Sequence, residues 1–423
     1  MVLSIGTPSG SRSTTCGYCS PPGQRSTTKS AAHAAGFLAH QLSCQVYQKM
    51  VDRGWRRSGI WCYKPDLRHS CCPHYTIKLD ASNFKVSKSK RKIINRWTRF
   101  ILHGKQSESK PLPNQKSKDA SFSLSTAIRA AEVAFTVNES PAHRFEVTLE
   151  PSSYSKEKFE LYCTYQRDIH HDLENTPSGF KTFLVNSPLS RAPIPYPSPP
   201  PSHLPVNYGS YHQLYRCDDK LIALGVIDIL PNCVSSVYFM YDSVRVCPHS
   251  SPDLMAFRKE WEEFSLGKLS ALREVSLASE IQESGVPEMG WLYMGFYIHS
   301  CPKMRYKGDY SPSYLADPET YDWHPLEICV PLLEEYRYAR FSEPLKSTNE
   351  TPSFVEDEDP PQPDDDLLSQ IHLVRDIVDN KIHVIPANLS PYWMIDELRC
   401  EILECVEALG QELSKEIIFH VDE

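Results

Sequence analysis

Long apolar runs are absent from this 423-residue sequence. No stretch approaches the roughly 18 to 20 apolar residues that cross a bilayer, so we expect no membrane partner. Residues 1–11 are rich in Ser and Gly and lack the basic and apolar regions of a secretory signal. We therefore expect a cytoplasmic protein, with the nucleus as a second location.

Acidic residues are scarce near the N-terminus. Residues 1–105 contain 18 Lys and Arg but three Asp, which gives this stretch about +15. Because the net charge of the whole chain is −8, the net charge of the remainder is about −23. A basic module on an acidic body indicates a polyanionic partner, with nucleic acid the first candidate. A basic tail without a specific partner is the alternative.

The 14 cysteines, in a chain without a secretory signal, indicate thiols, metal ligands or core residues rather than disulfides. Cys16 and Cys19 form a CxxC, and Cys71 and Cys72 follow about fifty residues later. One pair can hold an ion from a tight turn, and a second pair completes a four-thiolate shell. Two unrelated pairs of free thiols are the alternative. Three side chains are reserve ligands with structural alternatives: His74, Cys44 and Cys62.

Periodicity and composition predict an α+β fold with a mixed sheet, because strands, helices and an antiparallel hairpin alternate along the chain. The Pro-rich stretch at 187–205 predicts a loop or strap. Predicted helices lie at 30–50, 86–102, 155–172, 266–281 and 390–413, and predicted strands at 144–149, 221–230, 234–241 and 291–299. The predicted regions are a basic cysteine-site domain (12–105), a linker (106–140), a second domain (141–345), an acidic disordered segment (346–370) and a helical tail (371–423).

Short motifs surround the cysteine pairs and continue through the second domain. Those of the first domain lie at 16–19 (CGYC), 47–48 (YQ), 52–59 (DRGWRRSG), 63–65 (YKP), 71–77 (CCPHYTI) and 87–90 (SKSK). Those of the second lie at 157–162 (EKFELY), 208–213 (YGSYHQ), 225–231 (GVIDILP), 234–238 (VSSVY), 265–274 (SLGKLSALRE) and 297–308 (YIHSCPKMRYKG). In this order they closely resemble the two domains of eukaryotic, fungal-type arginyl-tRNA–protein transferases, over residues 13–105 and 143–327.

The resemblance implies a second domain similar to GNAT acyltransferases and no organic cofactor. It implies that Cys16, Cys19, Cys71 and Cys72 bind zinc or an iron–sulfur cluster. It also implies an activity: transfer of arginine from arginyl-tRNA to acceptor proteins with N-terminal Asp or Glu. Oxidised cysteine as an acceptor is left open. The transfer marks acceptors for ubiquitin-dependent degradation in the N-end rule pathway. The oligomeric state is not predicted.

This reaction is aminolysis of an activated ester, which requires positioning, deprotonation of the amine and stabilisation of an oxyanion. Asp228 interrupts an apolar strand, so its carboxylate is paired or functional. Its alternative is a hydrogen-bonded structural residue. Candidate catalytic residues are Asp228, His299, Ser235 and Lys268, with Ser236 supplying a further hydroxyl and His170 and His171 as further bases.

Recognition of an acidic N-terminus requires cations. Lys303, Arg305 and Lys307 follow a predicted strand, and Arg273 and Tyr238 are further substrate-binding candidates; a solvated basic turn is the alternative. For tRNA, residues 85–105 hold eight Lys and Arg interleaved with aromatic residues. An amphipathic helix whose basic face is only solvated is the alternative. The predicted tRNA contacts are Arg53, Arg56, Arg57, Lys88, Lys92 and Arg96.

Two regions depart from the family pattern. Residues 244–261 separate the hairpin from the SLGK motif, where the family has a short link, and the tail beyond 344 contains no recognisable motif. Another tRNA- or CoA-dependent acyltransferase of the same fold is one alternative function. This alternative is weakened because the chain lacks a multi-glycine pyrophosphate loop. A catalytically inactive RNA- or metal-binding relative is the other alternative.

Overall fold

The computed structural model describes residues 2–21, 24–28, 31–104, 122–136, 140–243, 261–352, 362–379 and 381–421. The helices are α1 (Cys44–Asp52), α2 (Lys88–His103), α3 (Leu124–Arg129), α4 (Lys156–Tyr165), α5 (Pro177–Phe180), α6 (Leu266–Glu283), α7 (Pro302–Arg305), α8 (Leu326–Glu335), α9 (Asp365–Gln370), α10 (Asp396–Leu409) and α11 (Gln411–Ser414). The strands are β1 (Ser4–Thr14), β2 (Ala32–Ser43), β3 (Arg56–Ser58), β4 (Trp61–Pro65), β5 (Tyr75–Asp80), β6 (Phe145–Pro151), β7 (Leu189–Ser190), β8 (Ala192–Pro193), β9 (Asn207–Cys217), β10 (Lys220–Ile229), β11 (Cys233–Tyr241), β12 (Trp291–Tyr297), β13 (Ser313–Ala316), β14 (Trp323–Pro325), β15 (His372–Val378), β16 (Lys381–Pro386) and β17 (Ile417–Phe419).

Contacts divide the chain into two compact units. Unit 1 comprises Met1–Leu79, Asn186–Ala192 and Met294–Glu423, and unit 2 comprises Asp80–Val185 and Pro193–Tyr293. The units are defined by contacts rather than by motifs along the chain, and the predicted domain boundaries stay predictions.

Unit 1 is built on a mixed sheet with the strand order β16-β15-β17-β1-β2-β4-β3, and β7 also pairs with β2. β1 pairs with β2 in antiparallel fashion and with β17 in parallel fashion, with Ser4 opposite Ile417. A second antiparallel group in this unit is β5–β13–β14. The predicted mixed α+β class is confirmed.

The helix predicted at 30–50 is wrong in its first two-thirds. That part is the strand β2, and only α1 is helical. Alanine favours helix by intrinsic propensity, but β2 forms ladders with both β1 and β4, and this tertiary pairing overrides a weak local preference. The switch to helix occurs at Ser43, whose side chain accepts a hydrogen bond from the Val46 amide and caps α1.

The C-terminal tail is an integral part of unit 1. The predicted helix in the tail is confirmed over α10, whereas the strands β15, β16 and β17 were not predicted. Trp55 Nε1 donates to the carbonyl oxygen of Ala408 at 3.2 Å, and the Lys49 ammonium pairs with the Glu416 carboxylate at 2.6 Å. Because the Trp55 side chain is fully buried, this contact fastens the tail to the N-terminal motif region.

Unit 2 is built on the antiparallel strands β6, β9, β10 and β11, in that spatial order. β11 then runs parallel to the first residues of β12, with Cys233 opposite Trp291. A parallel neighbour requires a crossover, and α6 provides it. The predicted hairpin and the predicted strands at 144–149 and 291–299 are confirmed, with ends shifted by one or two residues.

The helices predicted at 86–102, 155–172 and 266–281 are confirmed as α2, α4 and α6, although α4 ends at Tyr165 and a π-helical turn, Gln166–His170, follows it. Ser87 and Ser155 cap α2 and α4 by accepting hydrogen bonds from the amides of Lys90 and Lys158. Such caps satisfy backbone donors that a first helical turn leaves unpaired. The Pro-rich stretch at 187–205 contains only the two-residue strands β7 and β8 as regular structure, as its composition predicted.

Several predictions concern residues outside the described ranges. Almost all of the 244–261 insertion, residues 105–121 of the linker, and residues 353–361 of the acidic segment belong to this group. Within the linker, however, α3 forms and Ile128 is buried. At the end of the acidic segment Asp364 caps α9, so order begins there earlier than the charge pattern predicted.

Among the residues with a described position, we find no helix with both the length and the apolarity needed to span a membrane.

The turn between α10 and α11 requires glycine. Gly410 has φ +83° and ψ 155°, a region that is essentially closed to other residues. A Cβ atom there would also meet the Arg53 guanidinium, although that flexible group can move. We expect Gly410→Ala to lower the free energy of unfolding by about 1–3 kcal/mol, because the backbone strain remains after any side-chain shift. Urea denaturation of the full chain measures this.

Gly267→Ala is the matched control. Gly267 lies in the first turn of α6 with helical φ, and an added Cβ makes only ordinary contacts with Phe239, at 3.8 Å. This variant should be as stable as the parent or more so, by up to about 1 kcal/mol. Equal losses in the two variants would contradict the strain argument.

Candidate functional site

The four cysteines predicted as metal ligands lie together in unit 1. Cys16 and Cys19 follow the end of β1, and Cys71 and Cys72 precede β5. Their Sγ atoms all lie within 4.8 Å of one another, and the Cys19 and Cys71 sulfurs are 3.7 Å apart. Cys16 and Cys72 are buried, whereas Cys19 is exposed. The cluster has the donor set and the spacing to bind a metal.

Backbone hydrogen bonds hold the two cysteine turns in place. The Cys71 amide donates to the carbonyl oxygen of Ala31 at 3.0 Å, and the Ser26 amide donates to that of Cys16 at 2.7 Å. The Tyr18 amide lies 3.4 Å from the Cys16 sulfur, as is common for metal-binding thiolates. Burial, followed by a hydrogen bond with Cys16, raises the pKa of Cys71 to about 12.

A fifth thiol, Cys301, packs against the cluster together with Ile298. The sequence analysis did not single it out, although it lies in the motif at 297–308. Its signal was a cysteine directly after a predicted strand.

The reserve ligands are not members of the four-cysteine group. Cys44 Sγ donates to the carbonyl oxygen of Ser190 at 3.3 Å, and Cys62 is buried on β4. The His74 ring packs edge-to-face on Tyr18 and Phe296, at centroid distances of 5.0 and 5.6 Å. Burial, with a smaller contribution from the Lys307 charge, lowers the pKa of His74 to about 4. The structural alternative for these three residues therefore fits the described geometry.

The basic residues predicted to read an acidic N-terminus divide into two kinds. Lys303 and Arg305 are exposed on α7. Lys307 is buried, its ammonium donates to the carbonyl oxygen of Phe296, and burial lowers its pKa to about 7, with a further contribution from the Arg56 charge. Lys307 thus does not present its charge to an incoming anion in this conformation.

His299 lies two residues after Tyr297, whose hydroxyl is 2.9 Å from the His299 Nδ1. Partial burial lowers its pKa, and the nearby Arg305 charge lowers it further. The neutral imidazole is therefore favoured near pH 7, as a general base requires.

In unit 2, Asp228 and Ser235 stand opposite each other on β10 and β11. The Ser210 hydroxyl donates to the Asp228 carboxylate at 2.7 Å, and the Asp228 side chain is fully buried. Tyr238, further along β11, accepts a hydrogen bond from Gln166 Nε2 at 2.8 Å and lies 3.4 Å from His170 Nε2. The structure therefore brings Asp228 and Ser235 together, within a hydrogen-bonded interior.

Glu274 is a buried carboxyl group that the sequence analysis did not select. The hydroxyls of Ser236 and Ser270 both donate to it, the second at 2.9 Å, and the Tyr215 hydroxyl lies 3.0 Å from Ser270 Oγ. Burial raises the pKa of Glu274 to about 7, although the two hydroxyls oppose the rise. Its sequence signal was the four-residue spacing of Ser270 and Glu274 on α6.

Arg273, a predicted substrate-binding residue, is committed to an internal ion pair. Its guanidinium pairs with the Glu132 carboxylate, and the exposed fractions of the two side chains are only 4% and 3%. Removing one partner of such a pair leaves a buried uncompensated charge, so Arg273 has a structural function in this conformation.

The basic residues predicted to bind tRNA also fall into a buried group and an exposed group. Arg56 and Arg57 are buried, and their guanidinium groups donate to backbone carbonyls, including those of Val51 and Gly59. The Arg53 guanidinium stacks over the Tyr321 ring at 4.2 Å. Because phosphate contact requires an accessible cation, the burial of Arg56 and Arg57 does not favour their predicted function.

The basic residues of α2 are accessible. Lys88, Lys92 and Arg96 are exposed, whereas Trp97 and Phe100 face the interior and pack against Phe264. The aromatic residues near the basic ones therefore belong to the core and do not form a base-stacking surface. An open groove of about 550 Å³ adjoins the basic face, and it is lined by Ser89, Lys92, Ile93, Asn95, Arg96, Arg99, Ser265 and Lys268.

Fold and sites together define a mixed α+β protein with a metal-competent four-cysteine cluster in one unit, and with buried carboxyl groups and a separate basic groove in the other. Two family models described as arginine-tRNA-protein transferase match this chain, the N-terminus model at residues 14–92 and the C-terminus model at residues 157–317.

Relatives extend these matches over most of the chain. Arginyl-tRNA–protein transferase 1 of Drosophila melanogaster is 34% identical, covering 81% of this chain and 87% of its own length. The protein of the same name from Dictyostelium discoideum is 25% identical over 98% of this chain. An aspartate/glutamate leucyltransferase of Pseudomonas syringae is 25% identical over 70% of this chain and 88% of its own length. The chain belongs to the arginyl-tRNA–protein transferase family.

The raised pKa of Glu274 has a consequence for stability. Because the folded protein favours the protonated carboxyl, the stabilisation it provides is complete below about pH 4.5 and is lost as the pH rises through about 7. We expect Glu274→Gln to flatten the pH dependence of the free energy of unfolding across this window by roughly 1–3 kcal/mol. Urea titrations at several pH values measure it.

Glu283→Gln, an exposed change on the same helix, is the control and should alter the free energy of unfolding by less than about 0.5 kcal/mol. A Glu274→Gln protein with the parent's pH profile would show that this carboxyl group is not held in its protonated form.

Proposed function

We propose that this protein transfers arginine from arginyl-tRNA to the α-amino group of proteins that begin with Asp or Glu. The observation that carries the proposal is the 34% identity to the Drosophila transferase across 81% of the chain. The basic groove independently supports a polyanionic donor, and the four-cysteine cluster lies within the residues that the N-terminus family model matches. The modified proteins would be marked for degradation in the N-end rule pathway, in the cytoplasm and the nucleus.

The chemistry requires a bound ester, a deprotonated amine and donors for the tetrahedral oxyanion. Unit 2 supplies candidates on adjacent strands, Asp228 and Ser235, with Ser236 beside them. Both Asp228 and Glu274 are buried and hydrogen-bonded, so we propose that they orient the hydroxyls around them. His299, which favours the neutral imidazole, is the candidate base in unit 1.

The fold of unit 2 supports a GNAT-like acyltransferase. β11, α6 and the start of β12 form a β-α-β arrangement with parallel strands, attached to an antiparallel meander. Substrate sites in sheets with a crossover helix lie at strand ends and helix N-termini. Lys303 and Arg305, the exposed members of their basic turn, are the candidates for recognising the acidic side chain of the acceptor.

We expect the purified full chain to transfer radiolabelled arginine from arginyl-tRNA to peptides that begin with Asp or Glu. A peptide that begins with Ala should accept at least about a hundredfold less, because a charged recognition site left unpaired costs several kcal/mol. Absence of transfer to both acidic peptides would refute the proposal.

Leucyl-tRNA is the second candidate donor, because a relative named aspartate/glutamate leucyltransferase aligns over 88% of its own length. The same assay with leucyl-tRNA separates the two. Transfer from arginyl-tRNA should be faster. Faster transfer from leucyl-tRNA would show that this chain is a leucyltransferase.

The residues of the cysteine cluster fit a single tetrahedral ion. Four thiolates around zinc, with Zn–S near 2.3 Å, place neighbouring sulfurs about 3.8 Å apart. The 3.7 Å between the Cys19 and Cys71 sulfurs, with all four sulfurs inside 4.8 Å, agrees with that spacing. In an iron–sulfur cluster the thiolates bind two or more irons, one or two thiolates to each, so that thiolates on different irons lie further apart. We therefore propose zinc, with Cys16, Cys19, Cys71 and Cys72 as ligands and a structural role for the ion.

The metal prediction has a compositional and a spectroscopic readout. The purified protein should contain about one zinc per chain and no visible absorbance band. Cys71→Ser combined with Cys72→Ser should remove the metal, while the control Cys163→Ser, on α4 outside the cluster, should retain it. A visible chromophore that is lost in the double variant would instead establish an iron–sulfur cluster.

A further inference from the structure

The basic groove of unit 2 is formed by two elements that are distant in sequence. Lys92, Arg96 and Arg99 come from α2, and Lys268 comes from the first turn of α6. Lys92, Arg96 and Lys268 are exposed and Arg99 is partly buried. No carboxylate is among the lining residues that the structure describes, so four positive charges converge without a neutralising partner in the lining.

The three cations of α2 share one face of the helix. Their spacings of four and three residues place them on successive turns. The helix is held in position because two of its other side chains, Trp97 and Phe100, are buried in the core. A rigid row of cations is suited to a polymer with regularly spaced negative charges, such as a nucleic-acid backbone.

The Arg99 guanidinium supplies a second observation. Its Nε atom is buried and has no hydrogen-bond partner among the described atoms. A buried unpaired donor on a cation costs free energy unless a ligand satisfies it. Because this atom itself is buried, an anion in the groove would meet Arg99 through the part of its side chain that lines the groove.

The N-terminus of α6 lies beside Lys268. Ser265 precedes this 18-residue helix with φ 53° and its side chain makes no capping hydrogen bond, while its carbonyl oxygen accepts from the Lys268 and Leu269 amides at 2.8 and 3.1 Å. The helix dipole favours an anion at this end. The cations of α2 and the terminus of α6 therefore point to the same class of ligand.

We infer that this groove binds backbone phosphates of the tRNA donor, with Arg99 as a phosphate ligand and with Lys268 in that role instead of a catalytic one. The inference rests on the proposed function for the identity of the nucleic acid. It extends the α2 contacts to a second element, and it relates tRNA binding to α6, the helix that carries Glu274.

The two roles of Lys268 differ in kinetics. A phosphate contact made equally in the ground state and the transition state affects KM, whereas a group that stabilises the reacting centre affects kcat. Lys268→Ala should therefore raise the KM for arginyl-tRNA roughly three- to tenfold while kcat changes less than about twofold. A lower kcat with unchanged KM would return Lys268 to the reaction centre and overturn its assignment to the groove.

Salt dependence tests the groove as a unit. Each phosphate contact contributes about 0.7 to 0.9 to the slope of log affinity against log salt. Binding of fluorescent arginyl-tRNA by the full chain should lose about 1.4 to 1.8 from that slope in the double variant Arg96→Ala, Lys268→Ala. Arg99→Gln should reduce the slope by about one contact.

The matched control removes two exposed cations of the same unit outside the groove, Lys156→Ala with Lys181→Ala. It should retain the parent slope. If the parent protein binds and uses arginyl-tRNA but the groove variant keeps the parent slope, the groove assignment fails and the proposed function stands. If the parent does not transfer arginine at all, the proposed function itself fails.

Discussion

The pairing of β1 with two partners organises unit 1. β1 lies between β2, which follows it along the chain, and β17, which lies at the other end of the sequence. The partly buried first residues of β1 have pairing partners on both sides, since Ser4, Ile5 and Gly6 pair with β17 and Ile5 onward pairs with β2. The cysteine turn begins directly after β1, and its partner turn follows β4, the next strand of the same sheet beyond β2. The sheet thus positions both halves of the four-cysteine cluster.

The tail has a structural function in this arrangement. The Ala408 carbonyl oxygen accepts hydrogen bonds from Trp55 Nε1 and from the Lys64 ammonium, the latter at 2.8 Å. Both residues belong to motifs that resemble the family's N-terminal domain. Residues without a recognisable motif therefore complete the environment of residues that have one. The burial of Arg56 and Arg57 belongs to the same packing, which explains why their charge was a poor guide to function.

Unit 2 contains buried polar groups that each have a partner: Asp228 with Ser210, Glu274 with two serines, and Arg273 with Glu132. Burying such groups costs free energy unless hydrogen bonds or ion pairs compensate. The arrangement makes the interior rigid and leaves the exposed charges of α2 and α6 to face the groove. The charged residues of this unit therefore fall into two groups. The buried ones orient neighbouring side chains, and the exposed ones are available to bind a ligand.

The sequence by itself determined the family, the four clustered cysteines, the helices α2 and α4, and the central hairpin. These features depend on local spacing and periodicity and on motifs that are readable in order. It did not determine that residues 32–43 form a strand, that the tail supplies three strands, or that Glu274 is buried. Tertiary structure decided these, because β-pairing and burial depend on partners outside the local segment, from tens of residues away for β2 to about four hundred for β1 with β17. The same reason applies to the cations: local sequence shows their charge, but only the packing shows that Lys307, Arg56 and Arg273 face inward while Lys92, Arg96 and Lys268 line a groove.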